Sequence, residues 1–430
     1  MNPVAAVQRG ELAVLLVVLG VLVLLPIGRS SELPVLLAAL AGIGLLANRA
    51  RWQGLEPVVR PVVALFACYW LPILLSFFAA VEPQKTWTTA LETLRFLPFA
   101  VFAGWALRRP RSWPVVQMAI AVIAGLWLID AWVQALGGGS LAGGPEAERL
   151  SGIFGADNLK LGPVLSVLSP FVLLVARERG GRPGLLLAFV LMLVPILLAG
   201  SRAAWLSFAL VVVVFAWRET RSLRRFLPLL LGALLGVAFS IGVAWKNSPA
   251  FDARLDRTLL LLQGTEAAID DASAGRLSIW HAALDMAREH PLTGVGARGF
   301  RYDYAEHAVP GDRFVAATEG LGASHAHQIV LEVLSETGVL GLLAWVLGAT
   351  IAIRAWRRAS AAQKARAFAP GLALVAMCFP LNTHLAFYSA WWGLFFWWLL
   401  AIYVAALAAV AEQADGDAGD HDGRADQHDP

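Results

Sequence analysis

The feature that most constrains this chain is the recurrence of its apolar runs. Again and again the 430-residue sequence covers the thickness of a membrane with hardly a charge. A helix needs about 17–25 mostly apolar residues to cross the hydrocarbon core of a bilayer. Twelve stretches qualify, at roughly 11–28, 33–48, 61–79, 88–107, 114–136, 161–176, 184–200, 202–217, 226–245, 328–353, 368–386 and 389–410. The fourth is the least apolar, since it holds Glu92 and Arg95. The first is not expected to be a cleaved leader, because Gly28-Arg29-Ser30 offers no small-x-small site and further spans follow directly. Composition fits: 58% of residues are hydrophobic and 15% charged, where soluble domains carry about a quarter charged. A cytosolic enzyme, a nucleic-acid-binding protein and a disulfide scaffold are excluded. The two cysteines, Cys68 and Cys378, both lie within apolar runs.

The expected fold class is therefore an all-α polytopic membrane protein of about 12 transmembrane helices. Its Lys and Arg orient it. With the N-terminus cytoplasmic, the basic clusters Arg49/Arg51/Arg60, Arg108/Arg109/Arg111, Arg177/Arg179/Arg182, Arg218/Arg221/Arg224/Arg225 and Arg354/Arg357/Arg358/Lys364/Arg366 all fall inside. The other side keeps Arg29, Lys85, Arg149, Lys160 and Arg202 in its short connections. Both termini are then cytoplasmic, and the net charge of +3 belongs to the inner membrane face and not to an anionic partner. Tryptophans such as Trp113, Trp132, Trp217 and Trp245 sit at span ends, where amphipathic rings prefer the headgroup level.

This gives four parts. Residues 1–245 hold spans one to nine, with a Gly-rich flexible loop at 137–160. Residues 246–327 form a mainly helical extramembrane domain on the outer side, between spans nine and ten. Residues 328–410 hold spans ten to twelve, and the acidic tail 411–430 is expected to be disordered on the cytoplasmic side.

Three outward-facing elements carry chemistry. Arg202 stands in the short turn Gly200-Ser201-Arg202-Ala203, where it either snorkels at a helix end or binds an anion. Arg276 opens a helical stretch, and a helix start suits acid better than base, which favours binding over a merely exposed arginine. The segment Pro291-Leu292-Thr293-Gly294-Val295-Gly296-Ala297-Arg298 follows, and its backbone N–H groups are candidates to cradle a phosphate. Last comes Ser324-His325-Ala326-His327-Gln328, before a helix of about 40 Å from His327 to Arg354. Since the hydrocarbon core is about 30 Å thick, Glu332 and Glu336 are expected in or above the headgroup layer. His325 and His327 are surface residues, half of a metal pair, or, for His327, a proton acceptor. Spacing places no third metal ligand beside them. Arg95 is a further candidate, to touch phosphates or to pair with Glu92 one turn away. Two arginines and a histidine suit attack of a hydroxyl on a sugar carbon whose leaving group is a pyrophosphate, which needs no ATP.

At these residues the sequence resembles the O-antigen ligase and polymerase superfamily. The similar motifs are Ser201-Arg202-Ala203-Ala204-Trp205-Leu206, Gly275-Arg276 with Trp280, Pro291–Gly296, and His327-Gln328 followed by Gly338. They span about Ala199 to Leu343, roughly a third of the chain; the N-terminal half matches only in hydropathy. Where the family commonly has Asn after the histidine, this chain has Gln328. The resemblance implies a glycosyltransferase of the bacterial inner membrane with its active site facing the periplasm, and it makes 246–327 a periplasmic domain. It implies that Arg202 and Arg276 hold the pyrophosphate of an undecaprenyl pyrophosphate-linked donor. His327, favoured over His325 by the spacing to Gly338, orients or deprotonates the acceptor hydroxyl, with inversion at the anomeric carbon. Arg298 and Arg95 are secondary candidates, and no metal or other cofactor is implied. Three readings stay open: an O-antigen ligase using lipid A–core as acceptor, an O-antigen polymerase, or a protein O-oligosaccharyltransferase. The late single large loop favours the ligase. Outside the superfamily the competitor is a twelve-helix transporter or flippase, against which the nine-plus-three division speaks.

Overall fold

Apolar runs become helices because a lipid environment offers no partner to a backbone N–H or C=O, so each segment must satisfy its own. The computed structural model describes residues 9–48, 55–109, 112–142, 149–156, 158–247, 273–383 and 385–408, with a few isolated positions between 256 and 270. Every regular element among them is helical. The acidic tail lies outside the described residues. In chain order the helices are α1 (Arg9–Leu24), α2 (Glu32–Ala47), α3 (Glu56–Ser76), α4 (Pro83–Thr93), α5 (Phe96–Ala106), α6 (Trp113–Ala135), α7 (Leu161–Leu198), α8 (Arg202–Thr220) and α9 (Leu223–Asn247). Then follow α10 (Arg276–Glu289), α11 (Phe300–His307), α12 (Arg313–Ala317), α13 (Ile329–Arg358), α14 (Ala361–Met377) and α15 (Ala390–Ala408). Among the described residues, six helices are long and apolar enough to cross a membrane: α3, α6, α7, α8, α13 and α15; α1 and α2 are shorter apolar helices.

The bundle centres on α15, whose Trp397 and Trp398 are wholly buried. Trp398 donates its indole N–H to the Val18 carbonyl of α1 at 2.8 Å, and Trp397 packs against Tyr69 of α3 and Phe96 of α5. Burying a ring system this large needs a partner for its N–H, and the α1 backbone supplies it for Trp398. A second, smaller core lies outside the bundle, where Ile279, Ala283 and Met286 of α10 meet Phe300 and Tyr304 of α11.

At four places the helices depart from the expected spans. The fourth expected run divides into α4 and α5 at Leu94-Arg95. Arg95 there makes a two-point ion pair with Glu32 of α2, at 2.7 and 2.9 Å. To Glu92, the partner expected one turn away, it donates only at the backbone carbonyl. The expected runs 161–176 and 184–200 are joined in α7, which reverses at Gly181. A Cβ on Gly184 would lie 2.6 Å from the Ala176 carbonyl oxygen, and one on Gly162 3.0 Å from the Ala199 side chain. Residues at the two ends of α7 are thus neighbours, so its legs run antiparallel. The run 368–386 is helical only to Met377. Pro380 disfavours helix at the residue before it, and the Asn382 side chain caps the free carbonyls of Ala376 and Met377, the latter at 3.0 Å. Finally α13, expected to run straight, breaks at Gly338 (φ 65°, ψ −167°).

That break is spliced by the segment 291–296. The Ser335 and Glu336 carbonyls accept from the N–H groups of Val295 and Gly296, at 2.8 and 3.0 Å. Beyond the break, the N–H groups of Val339 and Leu340 donate to the carbonyls of Pro291 and Leu292. Four backbone groups that a broken helix would orphan are thereby satisfied. The approach is so close that a Cβ on Gly338 would lie 2.2 Å from the Leu292 oxygen, and one on Gly294 2.4 Å from the Glu336 carbonyl carbon. Of the N–H groups expected to cradle a phosphate, those of Val295 and Gly296 are therefore spent on the helix, and those of Ala297 and Arg298 on the Ser76 hydroxyl and the Glu336 carboxylate. Glu332 and Glu336, expected in or above the headgroups, are completely buried.

Candidate active site

Each of the three main candidates stands at the start of a helix. Arg202 is the first residue of α8; the Ser201 hydroxyl caps that helix by accepting the Ala204 N–H at 3.2 Å. Arg276 is the first residue of α10 and follows Gly275 in the left-handed conformation (φ 82°). Asp270 organises this turn: its carbonyl accepts the Gly275 N–H at 2.7 Å, and its carboxylate accepts the Ser278 N–H at 3.0 Å. His327 lies two residues before α13, with Gln328 as the cap whose side-chain oxygen accepts the Leu331 N–H at 2.6 Å. The backbone of His327 is itself left-handed (φ 53°), a conformation that costs a non-glycine residue free energy and persists only where its surroundings enforce it.

Those surroundings are the loop 378–389. The Thr383 carbonyl lies 2.8 Å from His327 Nδ1. A carbonyl can only accept, so Nδ1 carries the proton and Nε2 keeps its lone pair. The His325 ring lies beside it, tilted by 42° with ring centres 3.9 Å apart, and its own Nδ1 pairs with the Ser324 hydroxyl. Thr383 lies inside the expected span 368–386, where averaged hydropathy masks it. The polar stretch Asn382-Thr383-His384 in that run was the signal for it.

The electrostatics join the three residues. Burial, and then the charge of Arg202, push the Arg276 guanidinium down to about 10. Burial also pushes His327 down to about 4, with the Arg276 charge adding to the effect and the Thr383 bond opposing it. Arg276 thus feels the charge of Arg202 and in turn acts on His327. Among the described residues it makes no ion pair. A guanidinium drawn out of water beside another cation, with no carboxylate, is an unfavourable arrangement until an anion enters. Arg298 is placed otherwise. Its backbone N–H donates to Glu336 at 2.6 Å, and its charge acts on Glu332 and Glu336. Arg95 is engaged by Glu32. The two secondary arginines therefore face carboxylates.

The arrangement can hold a multiply charged anion against two guanidinium groups, with a neutral imidazole beside it ready to accept a proton. The family model described as O-antigen ligase matches residues 187–346, a range that includes all three helix starts. No curated protein matches the chain.

Proposed function

We propose, for a chain that belongs to the O-antigen ligase superfamily through its residues 187–346, that it transfers a glycan from undecaprenyl pyrophosphate to a hydroxyl of lipid A–core. Members of this superfamily are membrane proteins with glycosyltransferase-like activity on lipid-linked glycans. The finer assignment is supported by one observation: Arg276 is half-buried beside the charge of Arg202, acts on His327, and among the described residues makes no ion pair.

In this reading Arg202 and Arg276 bind the donor pyrophosphate, each guanidinium presenting a planar fork to phosphate oxygens. The acceptor oxygen attacks the anomeric carbon from the face opposite the pyrophosphate. The new C–O bond forms as the bond to the leaving oxygen breaks, which inverts the centre. The electron pair leaves with the pyrophosphate, whose growing charge the two arginines stabilise. The hydroxyl proton passes to His327 Nε2. The leaving group is already activated, so no ATP is required, and two fixed cations provide the neutralisation that a metal ion would otherwise supply. The distribution of Lys and Arg favours a periplasmic site in the bacterial inner membrane, with both termini cytoplasmic.

A lipopolysaccharide gel from a strain lacking the gene, complemented with wild type or His327→Ala, tests this assignment. The host must assemble O-antigen by the polymerase-dependent route. Loss of all O-antigen bands while polymer accumulates on the carrier lipid is the expected result. Core capped by a single repeat would assign a polymerase instead. An unchanged ladder would exclude both and leave protein glycosylation or transport.

A further inference from the structure

A third cation stands at a helix start on the same side of the bundle, and the proposed reaction uses it nowhere. Lys160 is the residue from which α7 begins, where the helix dipole opposes a positive charge. The segment before it is tied to the bundle. The Gln134 side-chain oxygen of α6 accepts the N–H groups of Ser151 and Gly152, at 3.1 and 2.8 Å. The Leu150 N–H donates to the Leu198 carbonyl at 3.2 Å. The Asn158 side chain accepts the Lys160 backbone N–H at 3.2 Å and donates to the Phe154 carbonyl at 3.0 Å. The Lys160 ammonium is then held 4.5 Å from the centre of the Trp391 ring. Trp391 is fixed in turn, since its indole N–H donates to the Leu25 carbonyl at 3.2 Å. Lys160 is half-buried, and among the described residues it makes no ion pair. A cation partly withdrawn from water, with only a ring face against it, is completed by an anion.

Two sets of contacts place Lys160 against the candidate active site. A Cβ on Gly162 would lie 3.0 Å from the Ala199 side chain and 3.3 Å from that of Ala204, and the Ser166 hydroxyl lies 2.9 Å from the Ala204 carbonyl oxygen. The first turn of α7 therefore packs on the turn and helix that carry Arg202. Trp391, the ring under the ammonium, is the second residue of α15, directly after the loop 378–389 whose Thr383 carbonyl holds His327. Lys160 does not join the donor cations: the charge acting on Arg276 is that of Arg202, and the charge acting on His327 is that of Arg276. In the proposed displacement the acceptor attacks from the face opposite the pyrophosphate. An acidic substituent of the acceptor therefore lies away from the two arginines and needs a separate cation. The acceptor hydroxyl is the group that meets His327, and the loop of His327 runs straight into Trp391. We propose that Lys160, held by Trp391, is a second anion subsite, which takes a phosphate on the sugars of the acceptor. An ammonium suits that task as a point charge with three donors. The proposal rests on the reaction of the preceding section. It adds that the acceptor is recognised by its charge as well as by the hydroxyl it offers.

The test uses the full-length protein in nanodiscs, with lipid A–core in its phosphorylated form and with the core phosphates removed enzymatically. Lys160→Met keeps an unbranched chain over the ring and deletes the charge. It should raise the acceptor KM about ten-fold for the phosphorylated form, as loss of one charge-assisted hydrogen bond does. The kcat and the donor KM should stay at their wild-type values, and Lys160→Arg should recover most of the acceptor affinity. With the dephosphorylated acceptor, wild type and Lys160→Met should behave alike. An equal rise in KM for both acceptor forms would make Lys160 a structural residue. A rise in the donor KM instead would give its charge to the donor. Either result overturns the proposal, as does an unchanged acceptor KM. Equilibrium binding of both acceptor forms, measured without donor, separates the subsite from the reaction. Wild type that transfers nothing, yet binds the phosphorylated form about ten-fold more tightly than Lys160→Met does, retires the reaction alone. Transfer with equal acceptor binding by wild type and Lys160→Met retires the subsite alone.

Discussion

Arg276 and Arg298 carry the same side chain and meet opposite fates, and the difference is which charges surround them. Arg298 stands among buried carboxylates; Arg276 stands beside Arg202. Arg276→Ala and Arg202→Ala should each lower transfer by about 10²-fold or more, as loss of a transition-state contact does, while membrane abundance stays at the wild-type level. Lysine at either position should restore only part of the rate, since an ammonium cannot reproduce the bidentate fork. Wild-type transfer by either alanine variant would remove that arginine from the reaction. The depressed proton affinity of His327, about 4, gives a second prediction at this scale. The Arg276 charge is one cause of the depression, so Arg276→Gln should raise the His327 pKa. Added inorganic pyrophosphate should raise it too, by placing negative charge nearby. NMR titration of labelled histidine reads both shifts, and a fall in either case contradicts the assigned geometry. The motifs made the three main residues legible in the sequence. The carboxylate partners of Arg95 and Arg298 were not, because Glu32 and Arg95 lie 63 residues apart, and a periodicity argument reaches only one turn along a helix.

At the scale of elements, the junction at Gly338 explains why two separate motifs occur in one chain. Pro291–Gly296 and Gly338 are two sides of a single backbone splice. Read alone, the glycine-rich stretch has the look of a phosphate cradle; only the broken helix shows where its N–H groups go. Gly338 has φ and ψ that glycine alone tolerates well, and a side chain there would collide with Leu292. Gly338→Ala should cost about 1–3 kcal/mol from backbone strain before the clash is added. A thermal melt in detergent measures it, and an unchanged midpoint would mean that the helix does not need the break. The loop 378–389 carries the complementary lesson. Hydropathy averaged over 368–386 absorbs Asn382 and Thr383 into a span, whereas the structure ends the helix and uses both residues. Asn382→Ala removes the cap on α14, at a cost of about 1–3 kcal/mol for the carbonyls left unsatisfied. It should also slow transfer through the loosened His327. A variant that loses stability but keeps full rate would separate the cap from the site.

For the whole molecule, the apolar runs of the sequence make the helical class and the membrane setting legible, because lipid leaves a chain so few alternatives. The packing of those helices was not legible. The antiparallel legs of α7 and the gap between the consecutive helices α13 and α14 depend on contacts between distant residues. The small outer core of α10 and α11 brings Arg276 to the bundle, since Ala326, next to His327, is part of that same core. In the proposed reading, three helix starts from separate regions of the chain serve one site. The most direct test of that account is glycan transfer by the purified protein in liposomes, supplied with a lipid-linked glycan and lipid A–core and nothing else. Wild type should form the glycosidic bond with inverted configuration and release undecaprenyl pyrophosphate in equal amount, while His327→Ala and Arg276→Ala form neither product. Transfer at the wild-type rate by either variant would contradict the account at its centre.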